Sequence, residues 1–238
     1  MRGILFDLDG TLLDIDLPGF LDRYFRALTL ASEPLLADSL SGDALMAAIQ
    51  SATGRMMESH AGRTNREVFA DEFSSAAGLD FDEAWPVYAR FYAEVFPGLR
   101  GGSGPASGAR EVLETAMSLG LRVAIATNPI FPRETIDHRL AWAGLDDLQL
   151  QTVTSYETMT ACKPHPEYFV QTAALLGLEP SDCMMVGDDR FLDMPAADTG
   201  MKTFYVGPSP DAVADYRGSL MDLAGLLPRI VTTRVDAE

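Results

Sequence analysis

The chain has 238 residues, 47% of them hydrophobic and 22% charged, enough to bury the core of one or two globular domains. Against 35 Asp and Glu stand 18 Lys and Arg, a net charge of −17 that repels nucleic acid and acidic lipid, so any anionic ligand needs a local positive centre. Cys162 and Cys183 have neither CxxC nor zinc-site spacing and no apolar run reaches membrane-spanning length; the expected setting is the cytoplasm, with both thiols reduced.

The first element is "GILFDLD" from Gly3, an apolar run that ends in two carboxylates, Asp7 and Asp9. From 15 to 96 only helical patterns follow ("FLDRYFRALTLA", "DALMAAIQSATGRMM", "NREVFADEFSSAAG", "FDEAWPVYARFYAEVF"), and the segment reads as an inserted all-helical module. The Gly/Ser/Pro tract "PGLRGGSGPASG", 97–108, lacks GxxxxGK[ST] and GxGxxG and is expected to be a linker rather than a phosphate loop. Beyond it "RVAIATN" from Arg122, "LQLQTVTS" from Leu148, "CMMVGDD" from Cys183 and "KTFYVG" from Lys202 read as strands. Helical patterns lie between them: "ETIDHRLAWAGL", "PEYFVQTAALLGL" and "FLDMPAADTG". Alternation of this kind predicts an α/β fold with a doubly wound, Rossmann-like parallel sheet, and the continuous apolarity of "RVAIAT" and "CMMVG" fits strands covered on both faces. The expected division is a core of 1–14 and 97–238 with a helical domain of 15–96.

In such a sheet the ligand crevice lies beyond the carboxyl ends of the strands. There the sequence places Asp7 and Asp9, then Thr127 and Asn128, then Lys163 in the loop after the third strand, and finally Asp188, Asp189 and Asp193. Asp7 and Asp9, two apart, can face one point, and a hard cation would offset their repulsion, with Asp188 as a third oxygen ligand. Mg²⁺ is the natural candidate. Lys163 supplies a fixed cation and Thr127 a hydroxyl donor, which together describe a phosphoryl-transfer site.

These motifs resemble those of the haloacid dehalogenase (HAD) superfamily phosphohydrolases. DxDGT is matched by Asp7-Leu8-Asp9-Gly10-Thr11, the Thr ending the next core strand by Thr127, the Lys-Pro pair by Lys163-Pro164, and the acidic GDxxxxD cluster by "VGDDRFLD" with Asp188 and Asp193. The resemblance covers the α/β core and places a type-1 helical cap where the insert lies. It implies that Asp7 is a nucleophile forming a phosphoaspartyl enzyme and that Asp9 moves protons. Lys163, Thr127 and Asn128 would hold the phosphoryl group, and Asp7, the Asp9 carbonyl and Asp188 would bind Mg²⁺. Asp193 is expected to orient a metal-bound water or to pair with Lys163.

Other residues keep two readings. Arg63, in the cap loop "HAGRTN" and near Arg55 and Arg66, either lies on a solvated helix face or reads a second anion on the substrate. His165 is either a general base or an ordinary loop residue. The expected function is hydrolysis of a small phosphorylated metabolite, with monomer and homodimer both compatible. A phosphomutase of the β-phosphoglucomutase type shares the core motifs and stays open. Asp9 argues against a dehalogenase, and the helical insert against a receiver-type signalling domain.

Overall fold

A computed structural model describes residues 1–37, 40–60 and 62–232. Strand β1 (Gly3–Phe6) leads through a tight turn to β2 (Leu13–Asp14), and four helices follow: α1 (Leu17–Ala31), α2 (Gly42–Met57), α3 (Asn65–Ala77) and α4 (Phe81–Arg90). The last continues as a π-turn, Phe91–Val95, and a 3-10 segment, Phe96–Arg100. The chain returns through β3 (Gly104–Pro105) and then alternates through α5 (Ala109–Ser118), β4 (Arg122–Ile125), α6 (Arg133–Trp142), β5 (Thr152–Val153), α7 (Pro166–Leu175), β6 (Cys183–Gly187), β7 (Lys202–Tyr205), β8 (Tyr216–Arg217) and α8 (Leu220–Thr232). The sheet runs in the order β5-β4-β1-β6-β7-β8 with every pairing parallel. The α/β expectation holds.

Helices cover both faces of this sheet, which is why β1 is apolar at every position. Ile4 and Phe6 point to the face packed by α5, α6 and α8, whereas Leu5 points to the face packed by α7 and the 3-10 turn Met194–Thr199. Each such fully buried side chain contributes roughly 1.5–3 kcal/mol. The first four helices start where the sequence supplies a cap. Asp16, Ser41 and Asp80 accept from their own first turns, and Thr64 forms a capping box with Glu67.

Three expectations change. "LQLQTVTS" contributes only Thr152–Val153 to the sheet, because β5 is an edge strand that meets β4 over two residues, and Leu148 and Leu150 sit instead in turns against the core. "FLDMPAADTG" forms a short 3-10 helix, since Pro195 near its start and Gly200 at its end leave no room for an α-helix. The tract 97–108 is not a free tether. Phe96 is fully buried and stacks on Trp142 with centroids 5.4 Å apart, the 3-10 turn carries on to Arg100, and Gly104–Pro105 pairs antiparallel with Leu13–Asp14. The chain therefore enters and leaves the helical segment through one two-stranded ribbon. Residues 38, 39 and 61 of that segment and 233–238 of the expected core lie outside the described residues. Among those described, no helix is long and apolar enough to cross a membrane.

Candidate active site

The sheet ladder holds Asp7 one residue beyond β1, where its N–H donates to the Val186 carbonyl at 2.9 Å. Immediately after it the N–H groups of Thr11, Leu12 and Leu13 converge on the Leu8 carbonyl at 3.2, 2.9 and 2.8 Å. Gly10 sits in this turn at φ +85°, and a Cβ there would lie 2.4 Å from Asp188 Oδ2. Both the backbone angle and the close approach require glycine. Thr11 Oγ1 donates to Asp188 Oδ1 at 3.2 Å, so this hydroxyl orients the acid of the neighbouring strand rather than merely closing its own loop.

Lys163 lies 1% exposed at the centre. Its N–H donates to Asn128 Oδ1 at 3.1 Å, and its ammonium donates to Asp7 Oδ1 at 2.8 Å and to Asp193 Oδ1 at 2.6 Å. Burial alone would favour the neutral amine, but Asp193 and Asp7 outweigh it and hold the lysine protonated. Burial also pushes Asp193 up to about 7, against the pull of Lys163. The second Asp193 oxygen accepts from the Asp189 N–H at 3.0 Å. With both oxygens engaged, Asp193 is built to place Lys163.

Asp7, Asp188 and Asp193 each present an oxygen within 4.8 Å of the others, a cluster able to hold a metal ion. Burial, and then the charge of Asp7, pushes Asp188 up to about 6. Carboxylates crowded in this way, all of them hard oxygen donors, fit a divalent cation. Thr127 lies two residues beyond β4, with its carbonyl pinned by Thr154 Oγ1 at 2.8 Å and the Tyr168 hydroxyl at 2.9 Å. Its own hydroxyl makes no hydrogen bond among the described residues. Asp7, Asp9, Thr127, Asn128, Lys163, Asp188 and Asp193 all line one cavity of about 240 Å³.

The family model for haloacid dehalogenase-like hydrolases matches residues 1–198, which spans every one of these positions. The chain belongs to this family. Among curated relatives in it, an N-acetylmuramic acid 6-phosphate phosphatase from Pseudomonas aeruginosa is 27% identical over 94% of both chains. A phosphoglycolate phosphatase from Rhodospirillum rubrum is 30% identical over 79% of this chain and 71% of its own length. A crystal structure of a HAD phosphatase from Thermococcus onnurineus shares the fold with a TM-score of 0.59 at 24% identity, covering 95% of this chain and 98% of that one.

Within this HAD framework the structure adds a residue that motif reading missed. Arg139 of α6, 1% exposed, donates Nη1 to Asp9 Oδ2 and Nε to the Thr135 carbonyl at 3.3 Å, and lies over the Phe131 ring at 4.8 Å. Burial raises the Asp9 carboxyl above its usual range while Arg139 opposes the rise. Asp9 Oδ1 and Arg139 Nη2 are both buried without a hydrogen-bond partner, which leaves one acceptor and one donor unspent beside the cavity. Sequence offered one hint, an arginine on the inner face of a helix whose neighbours Ile136 and Leu140 are buried.

Arg63 is the predicted residue that the structure does not bring to the cavity. Its guanidinium pairs with Asp71 at 2.7 Å and the Glu67 carbonyl at 3.0 Å on the outer side of α3, while Arg55 pairs with Glu58 and Arg66 with Asp82. Each of these three arginines is neutralised by an acid of the helical segment itself. Ala61 of the same loop lies outside the described residues. His165 faces the Met57 carbonyl at 3.0 Å and does not line the cavity, which favours its reading as a loop residue. What α3 does bring to the core is Asn65, whose amide donates to the Pro129 carbonyl at 3.0 Å.

Proposed function

We propose that the chain hydrolyses phosphate monoesters of small metabolites in two steps through a phosphoaspartyl enzyme. The observation that carries this reading is Lys163, which bridges Asp7 and Asp193 at the carboxyl end of β1 beside a second acid, Asp9, held by its own arginine. Asp7 attacks phosphorus. Lys163 neutralises charge on the phosphoryl oxygens, and the Thr127 hydroxyl and Asn128 orient the group in line. Asp9, whose pKa burial raises against the pull of Arg139, gives a proton to the leaving alkoxide and then takes one from the water that cleaves the phosphoaspartate. A divalent ion, Mg²⁺ by the hardness of the donors, would be held by Asp7, Asp188 and the Asp9 carbonyl, and supplies further charge neutralisation at the phosphoryl oxygens. Residues 15–96 act as the cap and 1–14 with 97–238 as the core, a division supported by the single ribbon that joins them.

The test is phosphate release from a panel of phosphorylated metabolites with Mg²⁺ and with EDTA, followed by rapid mixing with p-nitrophenyl phosphate. Asp9→Asn should give a burst of about one p-nitrophenolate per site and then turnover slowed ~10²–10⁴-fold, because that leaving group needs little protonation whereas the attacking water has lost its base. Asp7→Asn should give neither. A burst from the Asp7 variant would reverse the two roles.

A further inference from the structure

A second, smaller chamber of about 100 Å³ adjoins the catalytic cavity and shares Leu21, Ile130 and Phe131 with it as common walls. Its remaining walls come from α1 to α4 and the turn after them, with Phe69, Phe81, Trp85, Tyr24, Tyr88 and Tyr92 foremost, and Tyr156 closes it from the core. Among the described residues, no charged one lines it. The cations that line the catalytic cavity, among the described residues, are Lys163 and Arg139, both already engaged with acids of the site. Arg66 lies against the walls, over the Phe81 and Trp85 rings at 5.3 and 5.9 Å, but it is already paired with Asp82, so a leaving group that carried a second carboxylate or phosphate would meet no unpaired counter-charge among the described residues. A polyhydroxylated sugar would leave most of its hydroxyls unmet.

The chamber has a polar feature of its own. The Tyr24 and Tyr92 hydroxyls bond each other at 3.1 Å, but those of Tyr88 and Tyr156 are buried and make no well-formed hydrogen bond, the Ser32 side chain acting on the first and Arg66 on the second. Buried phenols left in this state are poised for a ligand hydroxyl or carbonyl. At about 100 Å³ the chamber is smaller than the apolar cavity of about 150 Å³ that takes up benzene, so one ring fits only by also using the catalytic cavity with which it shares walls.

Resting on the phosphatase reading, we propose that this chamber is the leaving-group subsite and that the substrate is the phosphate monoester of a neutral, ring-bearing alcohol or phenol with at most one or two further polar groups. The ester P–O bond breaks, the ring alcohol keeps that oxygen and takes its proton from Asp9, and the ring lies against Phe131 on one side and the cap aromatics on the other.

The experiment compares kcat/KM for benzyl, phenyl and cyclohexyl phosphate with that for methyl phosphate, glucose 6-phosphate and 2-phosphoglycolate on the Mg²⁺-loaded wild-type chain. The ring esters should exceed 2-phosphoglycolate and glucose 6-phosphate by at least a hundredfold. Ile49→Trp, which fills the chamber, should reduce the ratio of benzyl to methyl phosphate kcat/KM at least tenfold. Benzyl alcohol should compete with p-nitrophenyl phosphate and perturb the tryptophan emission of the wild-type chain, and the same perturbation in Trp142→Phe, which leaves Trp85 as the one emitter, assigns it to the chamber. Equal rates across the panel, or a preference for 2-phosphoglycolate, would overturn the subsite and leave the hydrolase reading intact. If no ester is hydrolysed, the hydrolase reading fails and benzyl alcohol still decides the chamber: saturable perturbation of Trp85 keeps it as a neutral-ring site, and none refutes it.

Discussion

Arg139 and Asp9 form a buried ion pair in which each partner keeps one unsatisfied atom, and this sets what a substitution will do. Arg139→Met keeps the apolar stem but removes the guanidinium from over Phe131 and leaves the Asp9 carboxyl beside Asp7 without its cation. Breaking such a pair costs about 3–5 kcal/mol, to be measured by urea denaturation. The same change removes the force that opposes the burial-driven rise in the Asp9 pKa. The acid required in its protonated form should then persist to higher pH, and the alkaline limb of kcat/KM should move upward. Dephosphorylation, which needs the ionised form, should slow at neutral pH. A purely structural arginine would lower stability and leave the limb in place. Asp188 makes a second residue-level prediction. Pushed up to about 6 by burial and by Asp7, it must lose a proton before it can ligate a cation. Mg²⁺ affinity by calorimetry should therefore rise about tenfold per pH unit below 6 and level off above 7. Because its folded pKa is the higher one, its contribution to metal-free stability is full below about 4 and is lost as pH rises through 6. An affinity that does not change from pH 5 to 8 would remove Asp188 from the ligand set.

At the scale of elements, the tract 97–108 shows why composition misleads. Glycine, serine and proline resemble a tether, yet the preceding Phe96 is wedged between Phe20 at 5.9 Å and Trp142 at 5.4 Å, and the tract itself supplies the return strand of the ribbon. Phe96→Ala should cost about 3–5 kcal/mol in urea denaturation, as for a core aromatic, where a linker would register only a few tenths. The core motifs were legible because each pairs an apolar run with a polar end, and period and chemistry agree at Asp7, Thr127, Lys163 and Asp188. Helices α5 and α8 escaped the reading although their buried positions, Val112, Leu113 and Ala116 in one and Leu220, Leu223 and Leu227 in the other, follow helical spacing. The two-residue strands β2, β3 and β8 carry no periodic signal, since two residues cannot show alternation. Arg139 was out of reach for another reason. Its partner is 130 positions away in sequence, and only the packing of α6 against the end of β1 brings the two together.

For the molecule as a whole, the net charge of −17 acts on a substrate that is itself a dianion. Five acids of the cavity, Asp7, Asp9, Asp188, Asp189 and Asp193, face two cations, Lys163 and Arg139, so even with a bound divalent ion the site keeps about one negative charge. Beyond contact range the surrounding acidic surface therefore sets the field, and it is repulsive. The Debye length falls from about 30 Å at 0.01 M salt to about 8 Å at 0.15 M, so salt hides distant acids while leaving the buried Lys163 contacts nearly unscreened. Raising KCl across that range at saturating Mg²⁺ should increase kcat/KM for a dianionic ester by a factor of roughly two to five, with kcat almost constant, because the effect lies in the approach of substrate and not in the chemical step. Steady-state kinetics with p-nitrophenyl phosphate, repeated at each salt concentration, checks this. A fall in kcat/KM with salt would mean that the cavity mouth focuses anions despite the overall charge, and that a cationic surface steers the substrate inward.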